Sequence, residues 1–135
     1  MTPQQLWQKA DEARNNAYAP YSQFTVGAAL LCEDGSVYSG CNVENASFSP
    51  TCCAERVAIF GAIADGKRHF CAIAVAGGKR GEASGPCTPC GVCRQVLAEF
   101  CQDGFSVVYR DEAGKLQTSA MAELLPSRFH LTKES

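Results

Sequence analysis

No apolar run in this 135-residue chain approaches the roughly 18 residues needed to cross a bilayer. The segment from Met1 to Asn16 is polar and lacks the apolar centre of a secretory leader. These absences set the expectation of a soluble, cytoplasmic protein with no membrane partner. A basic stripe is missing too. Lys and Arg total 12 against 14 Asp and Glu, giving a net charge of −2, and the only basic doublets are Lys67-Arg68 and Lys79-Arg80. A chain that grips a phosphate backbone gathers its cations on one face, so we expect a small-molecule ligand and no nucleic acid. Repeats and linkers are also lacking. With 46% apolar residues, the chain is expected to form one domain, 1–135, around one core.

Cysteine, by contrast, is abundant. The nine residues are Cys32, Cys41, Cys52, Cys53, Cys71, Cys87, Cys90, Cys93 and Cys101. An odd number without an export signal argues against a disulfide scaffold. Several lie in apolar stretches, such as Cys71 in Phe70-Cys71-Ala72-Ile73, and are expected as small buried hydrophobes. Any metal-binding role must therefore come from spacing and neighbours.

Thr2-Pro3-Gln4-Gln5 predicts a helix start, with Thr2 as cap and Gln5 completing a capping box. Leu6, Ala10, Ala13 and Ala17 continue it at helical spacing, and Ala19-Pro20-Tyr21-Ser22 ends it. Phe24 to Cys32 predicts a largely buried strand, Glu33 to Ser36 a turn, and Val37 to Val43 a returning strand. Asn45 to Thr51 reads as a loop. A second helix is expected from about Cys53 to Ala64, stopped by Asp65-Gly66. From Val57 to Ala64 it carries no polar side chain, and a helix apolar all round needs cover all round; sheet on one face and another subunit on the other would supply it. Cys71 to Ala76 predicts a core strand and Gly77 to Pro89 a loop. A third helix is expected from about Cys90 to Cys101, then strands at Phe105–Tyr109 and Leu116–Thr118 and a last helix at Met121–Leu125. This order predicts an α/β fold of three layers, α-β-α, with one mixed sheet of about five strands.

Two segments carry chemistry. Cys53-Ala54-Glu55-Arg56 places a carboxylate two residues after a thiol. Pro89-Cys90-Gly91-Val92-Cys93-Arg94-Gln95 places two thiols on one side of a helix start. Helix starts are electropositive, and that favours the thiolate, the form that binds metal. Cys53, Cys90 and Cys93 together offer three sulfur ligands with one coordination position open, and Glu55 is an unligated carboxylate to move protons. Two ambiguities stay open here: Cys52 could replace Cys53, although only Cys53 gives the Cys-x-Glu spacing, and Cys87 could supply a fourth sulfur that closes the shell. Arg56 follows the motif directly. By donating to a ligating sulfur it would offset the excess charge of three thiolates on zinc; Arg94 is a weaker candidate for that role.

These segments resemble the small homotetrameric zinc-dependent cytidine deaminases over nearly the whole chain. Phe24-Thr25-Val26-Gly27-Ala28-Ala29, Asn42-Val43-Glu44-Asn45-Ala46-Ser47, the two thiol motifs, and Leu124-Leu125-Pro126 followed by Phe129 carry the resemblance. The Cys-x-Glu and Pro-Cys-x-x-Cys pair alone fits the wider zinc nucleobase deaminases; the Asn-x-Glu-Asn segment narrows it to nucleosides. The resemblance implies one Zn2+ per subunit, Glu55 as proton shuttle, and substrate contacts from Phe24 (stacking), Asn42 and Glu44 (ribose hydroxyls) and the Ala54 backbone. Phe129, and Phe48 with it, would reach a neighbouring subunit's site in a homotetramer. The implied reaction is hydrolysis of cytidine and 2′-deoxycytidine to uridine and 2′-deoxyuridine with release of ammonia, in pyrimidine salvage. The extra Cys52 and Cys87 depart from the usual pattern. A deaminase of polynucleotides or of a nucleoside antibiotic, a structural zinc module and a Cys-x-x-Cys redox protein are the rival readings.

Overall fold

The computed structural model describes residues 1–133. Helix α1, Pro3–Ala13, starts with the expected capping box: Thr2 Oγ1 accepts from the Gln5 N–H at 3.1 Å and Gln5 Oε1 from the Thr2 N–H at 2.9 Å. The helix ends earlier than its spacing suggested. Arg14–Asn16 form a 3-10 turn and Ala17 is extended. Tertiary contacts override the pattern here, because Arg14 turns inward. Its Nε donates to Thr25 Oγ1 at 3.1 Å, and its two terminal nitrogens to Ser84 Oγ at 2.6 Å and the Lys79 carbonyl at 3.0 Å.

Strand β1, Phe24–Cys32, and strand β2, Val37–Cys41, pair antiparallel about the Glu33–Ser36 turn. Val43 lies beyond β2 and makes only isolated bridges, parallel to Tyr18 and antiparallel to Cys52. Helix α2, Ala54–Ala64, leads to strand β3, Phe70–Lys79. Helix α3, Gly91–Phe100, precedes strands β4, Ser106–Arg110, and β5, Leu116–Ala120, and the short helix α4, Met121–Leu124. The sheet order is β2-β1-β3-β4-β5, parallel only between β3 and β4. That single parallel pair is joined by a crossover through α3, as parallel neighbours require.

Two apolar layers sandwich the sheet. On one side, Leu6, Trp7 and Ala10 of α1 meet Ala29, Ala74, Ala76 and Val108. On the other, Ala58, Ile59 and Ala62 of α2 and Leu97 of α3 meet Ala28, Leu30, Ile73 and Val107. Burying each Leu or Ile here contributes on the order of 1.5–3 kcal/mol. The α-β-α expectation holds. Helix α2 seats closely because β2 presents Gly40 beneath it: a Cβ there would fall 2.4 Å from the Ala54 carbonyl oxygen and 2.6 Å from the Ala58 nitrogen.

Two expectations need correction. Strand β3 runs on through Gly77 and Gly78 to Lys79, where a loop was expected, because β1 continues opposite and pairs Val26 with Gly77, Thr25 with Gly78 and Phe24 with Lys79. Cys71 is exposed, not buried. It sits near the start of β3, before the fully buried run Ile73–Ala76, and alternation turns it outward.

Candidate metal centre and active site

Cys53 and Cys90 occupy equivalent positions: each is the residue that caps a helix N-terminus, of α2 and α3 respectively, and both are extended in backbone conformation. Cys93 lies one turn into α3. Their three sulfurs lie within 4.8 Å of one another, with Cys53 Sγ and Cys90 Sγ 3.9 Å apart. Among the described residues this is the one cluster of His, Cys, Asp and Glu side chains able to surround a metal ion. Cys87 is not in it, so the four-sulfur alternative finds no support in the geometry. Cys52 is held in the Val43 bridge by two backbone hydrogen bonds of 2.9 Å, which leaves Cys53 to face the cluster.

The thiols are not equivalent electrically. The Cys93 thiol and the Arg56 guanidinium stabilise the Cys53 thiolate against the cost of its burial, and hold Cys53 down at about 5. Arg56 donates through Nη2 to Cys53 Sγ at 3.5 Å and to the Thr51 carbonyl at 3.3 Å, while its Nε is buried without a partner. Arg94 does something else. It donates to the Pro89 carbonyl at 2.8 Å and the Leu124 carbonyl at 2.9 Å, clamping the residue before Cys90 to α4.

Glu55 stands in the first turn of α2 and is only 4% exposed. Burial pushes its carboxyl up to about 7, and the nearby Cys53 charge pushes the same way. A carboxyl so placed exchanges a proton readily at neutral pH.

The residues expected to hold a nucleoside gather around β1. Phe24 opens β1 with its ring partly exposed. Asn42 is spent largely on the backbone of β1: Oδ1 accepts from the Val26 N–H at 2.8 Å and Nδ2 donates to the Phe24 carbonyl at 2.9 Å. Glu44 Oε1 accepts from the Tyr21 and Ser22 N–H groups at 3.0 and 3.1 Å. The Ser22 hydroxyl and these N–H groups hold Glu44 below the usual carboxylate range. Ala54 turns its carbonyl towards Gly40. Its N–H, at the helix start, has no partner within the helix. Phe129 lies elsewhere, exposed on the C-terminal segment, where its carbonyl accepts from Gln95 Nε2 at 3.1 Å. Phe48 is also exposed and has a left-handed backbone, φ 59°.

Sequence reasoning missed the tie between Glu44 and the Tyr21-Ser22 backbone, and the position of Cys87. A Cβ built on Gly77 would fall 2.7 Å from Cys87 Sγ and 3.0 Å from Phe24 Cε1. The only signal was that Cys87 precedes Cys90 by three residues.

Residues 1–109 match the family model described as the cytidine and deoxycytidylate deaminase zinc-binding region. The cytidine deaminase of Sporosarcina psychrophila is 47% identical over 129 residues, covering 96% of this chain and 92% of that protein. The crystal structure of cytidine deaminase from Burkholderia pseudomallei superposes with a TM-score of 0.86 at 48% identity, covering 96% of this chain and 100% of that one. That of cytidine deaminase from Mycobacterium tuberculosis gives 0.81 at 36% identity, covering 97% and 99%.

Proposed function

The chain belongs to the cytidine and deoxycytidylate deaminase family, and from that premise we propose how its own residues deaminate cytidine. The protein is a zinc-dependent hydrolase that converts cytidine to uridine and ammonia. We read residues 1–135 as one such catalytic domain, acting on 2′-deoxycytidine as well, in pyrimidine salvage.

Cys53, Cys90 and Cys93 would hold the zinc. Their donor set fits: three thiols converge within 4.8 Å, one of them already acidified, with a cation beside it. Bound there, zinc would supply a Lewis acid that makes water acidic. The remaining steps belong to side chains of this chain. Glu55 takes a proton from the attacking water and delivers it to ring N3 as the C4–O bond forms. Now ionised again, it takes the remaining proton from the C4 hydroxyl and passes it to the C4 amine, which leaves as ammonia as the C4 carbonyl forms. A carboxyl raised to about 7 suits both directions of transfer. Phe24 stacks on the base. Asn42 and Glu44 accept ribose hydroxyls with the capacity that β1 and Tyr21-Ser22 leave over, and the Ala54 N–H meets the base. Arg56 withdraws charge from Cys53.

The observation that carries this reading is the buried Glu55 at the start of the helix that Cys53 caps, beside three convergent thiols. Ultraviolet absorbance of a cytidine solution tests it. Added protein should convert the spectrum to that of uridine, a strong chelator should stop the change, and zinc should restore it. Conversion that survives complete removal of metal would overturn the assignment.

We propose a cytoplasmic homotetramer with sites at the subunit interfaces. The exposed Phe48, Phe60 and Phe129 support it, as apolar side chains that a neighbouring copy would cover, and nine free thiols suit a reducing compartment. Light scattering should give four times the 14.4 kDa chain mass; a fully active monomer would refute it.

A further inference from the structure

Cys87 is the thiol beside the active site that the metal cluster leaves out. It lies between β3 and α3, and its N–H donates to the Arg110 carbonyl at 3.3 Å, tying this segment to the end of β4. Its side chain turns back over β3. Cys87 Sγ and the edge of the Phe24 ring both lie within 3.0 Å of the point where Gly77 would carry a Cβ. The sulfur and the ring thus share a space that exists because residue 77 has no side chain. Gly77 pairs with Val26, which packs into the layer containing Ala54 and Ala58. That space is therefore on the α2 side of the sheet, the side of Glu55 and the three metal-binding thiols. Cys87 is partly buried, and the charges of Glu55, Arg14 and Cys53 all reach it.

We infer that Cys87 is a specificity-determining residue of the deamination reaction, its thiol forming the wall that limits which substituents the pyrimidine ring can carry. This rests on the reading of Phe24 and Glu55 given above. C4 must face Glu55, so a group on C5, the ring carbon next to it, projects into the surrounding walls, of which Cys87 is one. Sulfur is soft and polarizable and packs well against a ring edge. Its small size leaves room that a branched side chain would close.

The measurement is kcat/KM for 5-methylcytidine relative to cytidine, followed by absorbance, with zinc content determined on each protein. Cys87→Ala should raise the ratio about tenfold and Cys87→Leu lower it about tenfold, both with zinc content unchanged. A second arm uses the wild-type protein. Iodoacetamide forms a thioether at a cysteine sulfur, releasing iodide as the thiol proton passes to buffer. Uridine at about ten times its Kd should slow this reaction at Cys87 roughly tenfold, read by mass spectrometry, and leave the exposed Cys71 unaffected. A ratio unmoved in Cys87→Ala, or labelling of Cys87 indifferent to uridine, overturns the inference. Failure of the wild-type protein to deaminate cytidine at all would instead remove the underlying assignment, and is seen before any variant is compared.

Discussion

Arg56 and Cys53 are joined by a 3.5 Å contact from guanidinium Nη2 to Sγ, three residues apart across the first turn of α2. It stabilises the thiolate, the form that binds metal, and draws off part of its charge. Arg56→Gln should therefore lower both zinc affinity and turnover by about 10–100-fold. Competition against a chromophoric chelator measures the first and cytidine turnover the second. A variant that holds zinc as tightly as wild type would show the contact to be incidental.

Glu55→Gln keeps the shape of the side chain and removes its proton chemistry. Turnover should fall at least about 10²–10⁴-fold while zinc content stays at the wild-type level. Because the carboxyl is 4% exposed and raised to about 7 by burial, exchanging it for a neutral amide should not lower the melting temperature. Activity retained in this variant would mean that another group carries the proton.

Glu44 gives a prediction in pH. Its folded-state pKa lies below the ordinary value because the ionised form is the one that Ser22 and Tyr21 stabilise. A depressed carboxyl contributes stability above its unfolded value, and that contribution is lost as pH falls through the folded one. The melting temperature of wild type should exceed that of Glu44→Gln at neutral pH, with the gap closing below about pH 4.5. A gap of constant size across this range would remove the charge from the explanation.

Gly40→Ala tests how α2, the helix that Cys53 caps, is seated. The added carbon would fall 2.4 Å from the Ala54 oxygen, against backbone that cannot yield like the end of a side chain. The cost should be about 1–3 kcal/mol or more in urea denaturation, with weaker zinc binding as Cys53 and Glu55 are pushed away. Unchanged stability would mean α2 is free to shift.

Much of this architecture was legible in the sequence because local rules and tertiary packing agree there. Thr2 and Gln5 build their capping box, Phe24–Cys32 is a strand to the residue, and the order of elements follows from hydrophobic spacing. The thiol motifs were legible because Cys-x-Glu and Cys-x-x-Cys each place their two side chains within one turn of a helix start. Legibility failed where a distant segment decides. Arg14 ends its helix by reaching Ser84, seventy residues on. Strand β3 passes through two glycines because β1 pairs with them. Asn42 and Glu44 were readable as polar positions, but their bonds to the backbone around β1 were not, since these depend on how a loop returns. Phe129 is exposed, and the role proposed for it needs a neighbouring chain, which no spacing within one chain describes.

Neither Cys53 nor Cys90 uses its side chain to hydrogen-bond the helix it caps. A serine or aspartate at these positions would do so and strengthen each helix start by about 1 kcal/mol. Selection for thermal robustness alone would therefore push both positions away from cysteine. The metal-free protein should gain resistance to heat from Cys53→Ser, although the same substitution takes a sulfur from the proposed metal site, so on that reading the activity is maintained against a standing pull towards a sturdier, inert relative.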